Sequence, residues 1–109
     1  MTTDPGRAPE AAEGTHFAAL VLDARDDVAV ALRDLVAGDI VTVLRGGARF
    51  PATIAEPIPL GHKLALHAIG RGDAIRKYGE LIGRATADIG PGMHVHVHNL
   101  ASTRGRTAT

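Results

Sequence analysis

Ile69-Gly70-Arg71-Gly72-Asp73-Ala74-Ile75 places one large aliphatic residue three positions before a glycine and another three positions after it. The same arrangement stands at Leu35-Val36-Ala37-Gly38-Asp39-Ile40-Val41 and at Ile89-Gly90-Pro91-Gly92-Met93-His94-Val95. A glycine enters a left-handed backbone at little cost, so each unit reads as a brief helical turn that ends at its glycine and leaves as a strand. Asp39 and Asp73 follow two of these glycines and suit exposed turn positions. The units are unevenly spaced, which argues against a solenoid of fixed period. With short apolar runs punctuated by Gly and Pro, they predict a mainly all-β domain built from short strands and glycine corners.

Outward from these corners, Asp26-Asp27 before Val28-Ala29-Val30-Ala31-Leu32-Arg33-Asp34-Leu35 reads as the cap of one short helix closing near Gly38. Val28, Leu32 and Leu35 fall at helical spacing and are assigned to the core. Pro57-Ile58-Pro59-Leu60-Gly61 reads as an extended approach to a turn, because each proline biases its predecessor away from helix. The ends lack hydrophobic periodicity, so residues 1–14 and 101–109 are expected to be flexible tails around a domain at 15–100.

The length, 109 residues, suits one domain. With 3% aromatics and no Trp, the core must be built from Val, Ile, Leu and Ala. Twelve basic residues balance twelve acidic ones, which speaks against a nucleic-acid partner. The chain has no Cys, excluding disulfides and thiolate metal sites. No apolar run approaches the ~20 residues of a membrane span. The first fourteen residues lack the apolar core of a signal peptide, so a cytoplasmic location is expected.

Gly92-Met93-His94-Val95-His96-Val97-His98-Asn99-Leu100 is the richest polar stretch, with three of the six histidines alternating with valines. As a strand it would line His94, His96 and His98 on one face and bury Val95 and Val97 on the other. Residues two apart on a strand are separated by ~6.7 Å and residues four apart by ~13 Å, so one ion can join neighbouring histidines but not all three. A metal at His94 and His96 therefore needs His62 or groups from another chain. The same two residues would serve equally as hydrogen-bonded structural groups. Two further clusters carry chemistry. In His62-Lys63-Leu64-Ala65-Leu66, Lys63 lies opposite the face shared by Leu64 and Leu66; in Lys77-Tyr78-Gly79-Glu80, Lys77 and Tyr78 suit anion binding or proton transfer. The ordinary alternatives are a solvated lysine and a tyrosine at the edge of the core.

These blocks in order, from Asp26-Asp27-Val28 through Ile58-Pro59-Leu60-Gly61-His62-Lys63 and Lys77-Tyr78-Gly79-Glu80-Leu81-Ile82-Gly83 to His94-Val95-His96-Val97-His98-Asn99-Leu100, resemble the SAF-type N-terminal domain of altronate and galactarate dehydratases. The resemblance implies a β-clip, a long hairpin folded back on itself. It also implies a role in sugar-acid dehydration as the small subunit beside a large catalytic dehydratase subunit, inactive alone. Sulfolactate sulfo-lyases resemble this family too, and they eliminate sulfite rather than water. A non-catalytic module that binds sugar acids and a small independent metalloenzyme using the histidine strand are the remaining alternatives.

Dehydration needs a base for the proton beside the carboxylate, a cation for the enediolate and an acid for the departing hydroxyl. On this reading His62 and His98 are the candidate catalytic residues. Lys63, Lys77, Tyr78 and Asn99 would contact the substrate, with a lysine on its carboxylate and Asn99 donating to a hydroxyl. A divalent metal of iron or manganese type would be held mainly by the large subunit, with His94 and His96 as this chain's candidate ligands. One departure from the family pattern is Asp27, where Asn is common; a carboxylate only accepts, so a donor role at that position is lost.

Overall fold

The computed structural model describes residues 17–102, so the expected N-terminal tail and positions 103–109 lie outside the described residues. Within them the chain is all β, as expected. Nine strands are present: β1 (Ala19–Val21), β2 (Val28–Ala31), β3 (Ile40–Arg45), β4 (Ala48–Thr53), β5 (Lys63–Ala65), β6 (Ala74–Lys77), β7 (Glu80–Ala85), β8 (His94–Val95) and β9 (Leu100–Ser102). One sheet runs β4-β3-β1-β2-β5-β8, the other β6-β7-β9. Only β1 and β3 pair in parallel. Strand β9 includes Ala101 and Ser102, which the sequence reading placed in the tail; they pair with Arg84 and Gly83. No helix among these residues is long and apolar enough to cross a membrane.

The glycine corners are β-turns rather than helical turns. The N–H of Asp39, Asp73 and Met93 donates to the carbonyl three residues earlier, on Val36, Gly70 and Gly90. The glycine occupies the third turn position with φ near +90° (Gly38 92°, Gly72 89°, Gly92 81°), as a type II turn requires. The structure adds a fourth unit, overlapping the extended approach expected at Pro57-Ile58-Pro59-Leu60-Gly61. In Ile58-Pro59-Leu60-Gly61-His62-Lys63-Leu64 the His62 N–H donates to Pro59 O at 2.9 Å and Gly61 has φ 85°.

The aliphatic residues that flank the four glycines, eight in all, are no more than 5% exposed. They divide evenly. Leu35, Val41, Ile58 and Leu64 belong to one core, and Ile69, Ile75, Ile89 and Val95 to the other. The hydrogen bonds repeat in step: Leu35 exchanges a bond pair with Ile58 as Ile69 does with Ile89, and Gly38 N donates to Ile54 O as Gly72 N does to Ala85 O. The folded region is thus two similar halves, each closed by a pair of type II corners. They meet at β5, where Leu64 enters the first core and Ala65 the second.

The expected helix after Asp26-Asp27 is strand β2. Val28 and Ala29 are both buried, between β1 on one side and β5 on the other, whereas Leu32, predicted to be core, is 42% exposed. The aspartates do accept backbone N–H groups, as a helix cap would, but from the β6–β7 hairpin. Asp26, 4% exposed, accepts from Gly79 (2.7 Å), Tyr78 (2.9 Å) and Asp23 (3.1 Å). Asp27 accepts from Arg76 N at 2.8 Å and pairs with His67 Nε2 at 2.9 Å.

Candidate functional site

Strand β8 ends at Val95, so the alternating histidine strand does not persist. Residues His96 to Asn99 form a turn, with Asn99 N–H donating to His96 O at 3.0 Å, and Val97 is 81% exposed rather than buried. Asn99 enforces that turn. Its Oδ1 accepts from His96 N–H and its Nδ2 donates to His94 O, at 2.9 and 2.8 Å, while the residue is 6% exposed. Asn99, expected to contact substrate, thus holds the backbone that carries the histidines through one bond at each end of its amide.

His94 and His96 nevertheless meet His62, and the reason is register. Strands β5 and β8 pair Leu64 with His94 and Lys63 with Val95, so continuing the ladder sets His62 opposite His96 and diagonal to His94. The rings of His62 and His96 stack with centroids 4.0 Å apart and planes 22° apart. His62 Nδ1 and His94 Nε2 are 2.8 Å apart and share a hydrogen bond. His98, exposed on the turn, holds its ring 5.1 Å from that of His94. Glu56 Oε2 accepts the His94 N–H at 2.9 Å. No local pattern around Ala55-Glu56-Pro57 announces that role; it follows from the first half's loop reaching β8.

Two of these imidazoles, His94 and His96, resist protonation. Burial, then the neighbouring His62, His98 and His96, hold His94 below the usual imidazole range, against an opposing pull from Glu56. Burial, then His62, Lys63 and His98, do the same to His96. Nδ1 of His96 is enclosed and has no hydrogen-bond partner. One nitrogen from each of His62, His94 and His96 lies within 4.8 Å of the others.

Lys63 joins this cluster to a second feature. It lines an open groove of about 340 Å³ together with Lys77, Tyr78, Glu80 and Ser102. Burial, and then the Lys77 ammonium, lower the pKa of Lys63, so two like charges converge on one depression. Tyr78 is not a core edge. It is 69% exposed at the tip of the β6–β7 hairpin, at φ 62°, with Gly79 next at φ 75°. Two consecutive positive φ values define a type I′ hairpin turn, which is costly for a bulky side chain and is held here by the Asp26 carboxylate. The structure thus brings together Lys63, Lys77 and Tyr78 in one place and His62, His94, His96 and His98 in another beside it. Glu80 and Ser102 were missed from sequence; Glu80 is readable in retrospect as the cross-turn partner of Lys77.

Comparison with known proteins follows the same lines. The altronate/galactarate dehydratase SAF domain matches residues 17–103. Altronate dehydratase of Escherichia coli (strain K12) is 45% identical over 78 residues, covering 72% of this chain and 15% of that enzyme. The chain thus spans only about a seventh of the length of that relative. The (2R)-sulfolactate sulfo-lyase subunit alpha of Chromohalobacter salexigens is 36% identical over 88 residues, covering 78% of this chain and 94% of that subunit. The corresponding subunit of Paracoccus pantotrophus is 46% identical over 55 residues, half of this chain and 82% of the subunit.

Proposed function

Because the chain belongs to the altronate/galactarate dehydratase SAF domain family, we propose that it is the small subunit of a sugar-acid dehydratase, completing an active site that resides mainly on a large catalytic chain. The observation that carries this reading is the convergence of Lys63 and Lys77 on one open groove beside four histidines. Two neighbouring ammonium groups repel each other, and a carboxylate between them relieves that repulsion while forming charge-assisted hydrogen bonds.

In this arrangement the lysines hold the substrate carboxylate and the Tyr78 hydroxyl borders the same groove. The base on the large chain removes the proton beside the carboxylate. The hydroxyl on the next carbon leaves as water, taking a proton from the exposed imidazole of His98. A second reading, sulfite elimination, draws support from coverage: the match extends over 94% of the sulfo-lyase subunit of Chromohalobacter salexigens.

The test is elimination from altronate, galactarate and (2R)-sulfolactate, assayed with this chain alone and with its large partner, following water loss or sulfite release. The assembled enzyme should turn over one of these acids, and Lys63→Ala or Lys77→Ala should raise KM about 10- to 100-fold, the loss of one charged hydrogen bond. Turnover by the isolated chain, or an unchanged KM in both variants, would overturn the proposal.

A further inference from the structure

The convergence of His62, His94 and His96 depends on the β5–β8 register. Three imidazoles lie together, each from an ordered position: His62 directly after the Gly61 corner, His94 within β8, and His96 fixed by the Asn99 clamp. No carboxylate or thiol belongs to the group among the described residues. The hydrogen bond between His62 and His94 occupies one nitrogen on each ring. The third ring is left incomplete, because Nδ1 of His96 is shut off from solvent and meets neither donor nor acceptor. Native structures seldom leave a buried polar atom without a partner, and a bound ion is one group that supplies it.

We infer that His62, His94 and His96 form a three-nitrogen site for a divalent transition-metal ion carried by this chain itself. The donor set fits. Imidazoles without thiolates suit zinc, nickel, copper or iron in preference to calcium or magnesium, which take oxygen ligands. The spacing also fits after small movements. Two nitrogens bound at ~2.05 Å to one tetrahedral ion stand ~3.3 Å apart. The pair at 2.8 Å must open slightly, and the third must close from within 4.8 Å, both within reach of side-chain rotation in half-buried rings. A three-protein-ligand site leaves a fourth position for water, as sites that act on ligands do. Glu56, bonded to the His94 N–H, adds a negative charge beside the ion without ligating it. This site is built from the chain's own residues, and it stands independently of which acid, if any, the assembled enzyme consumes.

The experiment uses the untagged full-length chain, stripped with a chelator and titrated with zinc chloride by calorimetry. It is then repeated with cobalt(II), whose visible absorption reports a nitrogen-rich tetrahedral environment. One equivalent of ion should bind per chain, and His62→Ala, His94→Ala and His96→Ala should each weaken binding at least tenfold. His67→Ala removes an exposed histidine outside the cluster and should leave binding unchanged. Where a variant fails to fold, imidazole nitrogen resonances of the unaltered chain provide the answer: zinc should shift those of His62, His94 and His96 and not that of His67. Absence of saturable binding, binding undiminished by His96→Ala, or zinc shifts confined to His67 would each refute the site.

Discussion

Replacing Asp26 with Asn preserves the shape of a side chain that holds three backbone N–H groups. Asp26 Oδ1 accepts from Gly79, and Oδ2 accepts from both Tyr78 and Asp23. An amide has one acceptor atom and one NH₂, so in either orientation the NH₂ faces at least one N–H donor. The less costly orientation surrenders the bond to Gly79, the shortest at 2.7 Å, and removes the charge that strengthens the other two. One charged hydrogen bond contributes about 1.5–3 kcal/mol, so Asp26→Asn should destabilise by about 2–3 kcal/mol. For a domain this size that lowers Tm by about 10–20 °C. The neighbouring Asp27→Asn is the internal control. There the amide oxygen can keep the bond from Arg76 N–H, while the NH₂ donates to His67 Nε2, whose Nδ1 already faces Ala68 O. That change should cost less than about 1 kcal/mol. Thermal and urea unfolding of both variants decide the matter. Equal losses in the two, or a loss below about 0.5 kcal/mol in Asp26→Asn, would refute the assignment of Asp26 as the clamp of the Tyr78 hairpin.

Two glycine corners that look alike in sequence should respond differently to alanine. At Gly72 a Cβ meets nothing within 4 Å, so Gly72→Ala should cost only the left-handed backbone strain of about 1–2 kcal/mol. At Gly92 a Cβ would overlap the Thr53 carbonyl oxygen, so Gly92→Ala should lose at least about 3 kcal/mol or fail to fold; comparable unfolding midpoints for the two would contradict the packing. The pH dependence of the metal-free chain follows from His94 and His96, whose folded pKa values lie below the ordinary 6.5. The unfolded chain then binds more protons, so stability is fully present above that value and declines as pH falls through it, flattening below the folded pKa. Urea unfolding from pH 8 to 5 should show this decline in the metal-free chain and a shallower one in the double variant His94→Gln/His96→Gln; identical slopes would refute it.

The β class and its corners were legible because they depend on local chemistry. A glycine with an aliphatic residue three positions away on each side specifies a turn between two buried anchors, and the three units quoted from sequence are all such turns. The Ile58–Leu64 unit carries the same spacing, but Pro57 and Pro59 give that stretch the signature of an extended approach. Strand β2 was misread because Val28, Leu32 and Leu35 satisfy a helical period by coincidence. What decides that segment is non-local: β1 and β5 flank it on both sides, and Asp26 and Asp27 reach a hairpin some fifty residues away.

The candidate site divides in the same manner. Sequence alone named the candidate residues, in Gly-His-Lys, Lys-Tyr-Gly and His-Val-His-Asn, and it bounded any metal site by the distance between alternate strand positions. Only the tertiary structure decided how they act together. The strand stops at Val95 because Asn99 turns the backbone, which exposes Val97. The pairing of β5 with β8 then sets His62 against His96, a contact between residues 34 positions apart that no local spacing can encode. Side-chain identity is written along the chain, but proximity is set by strand register, and register is fixed only when both cores have closed around their glycine corners.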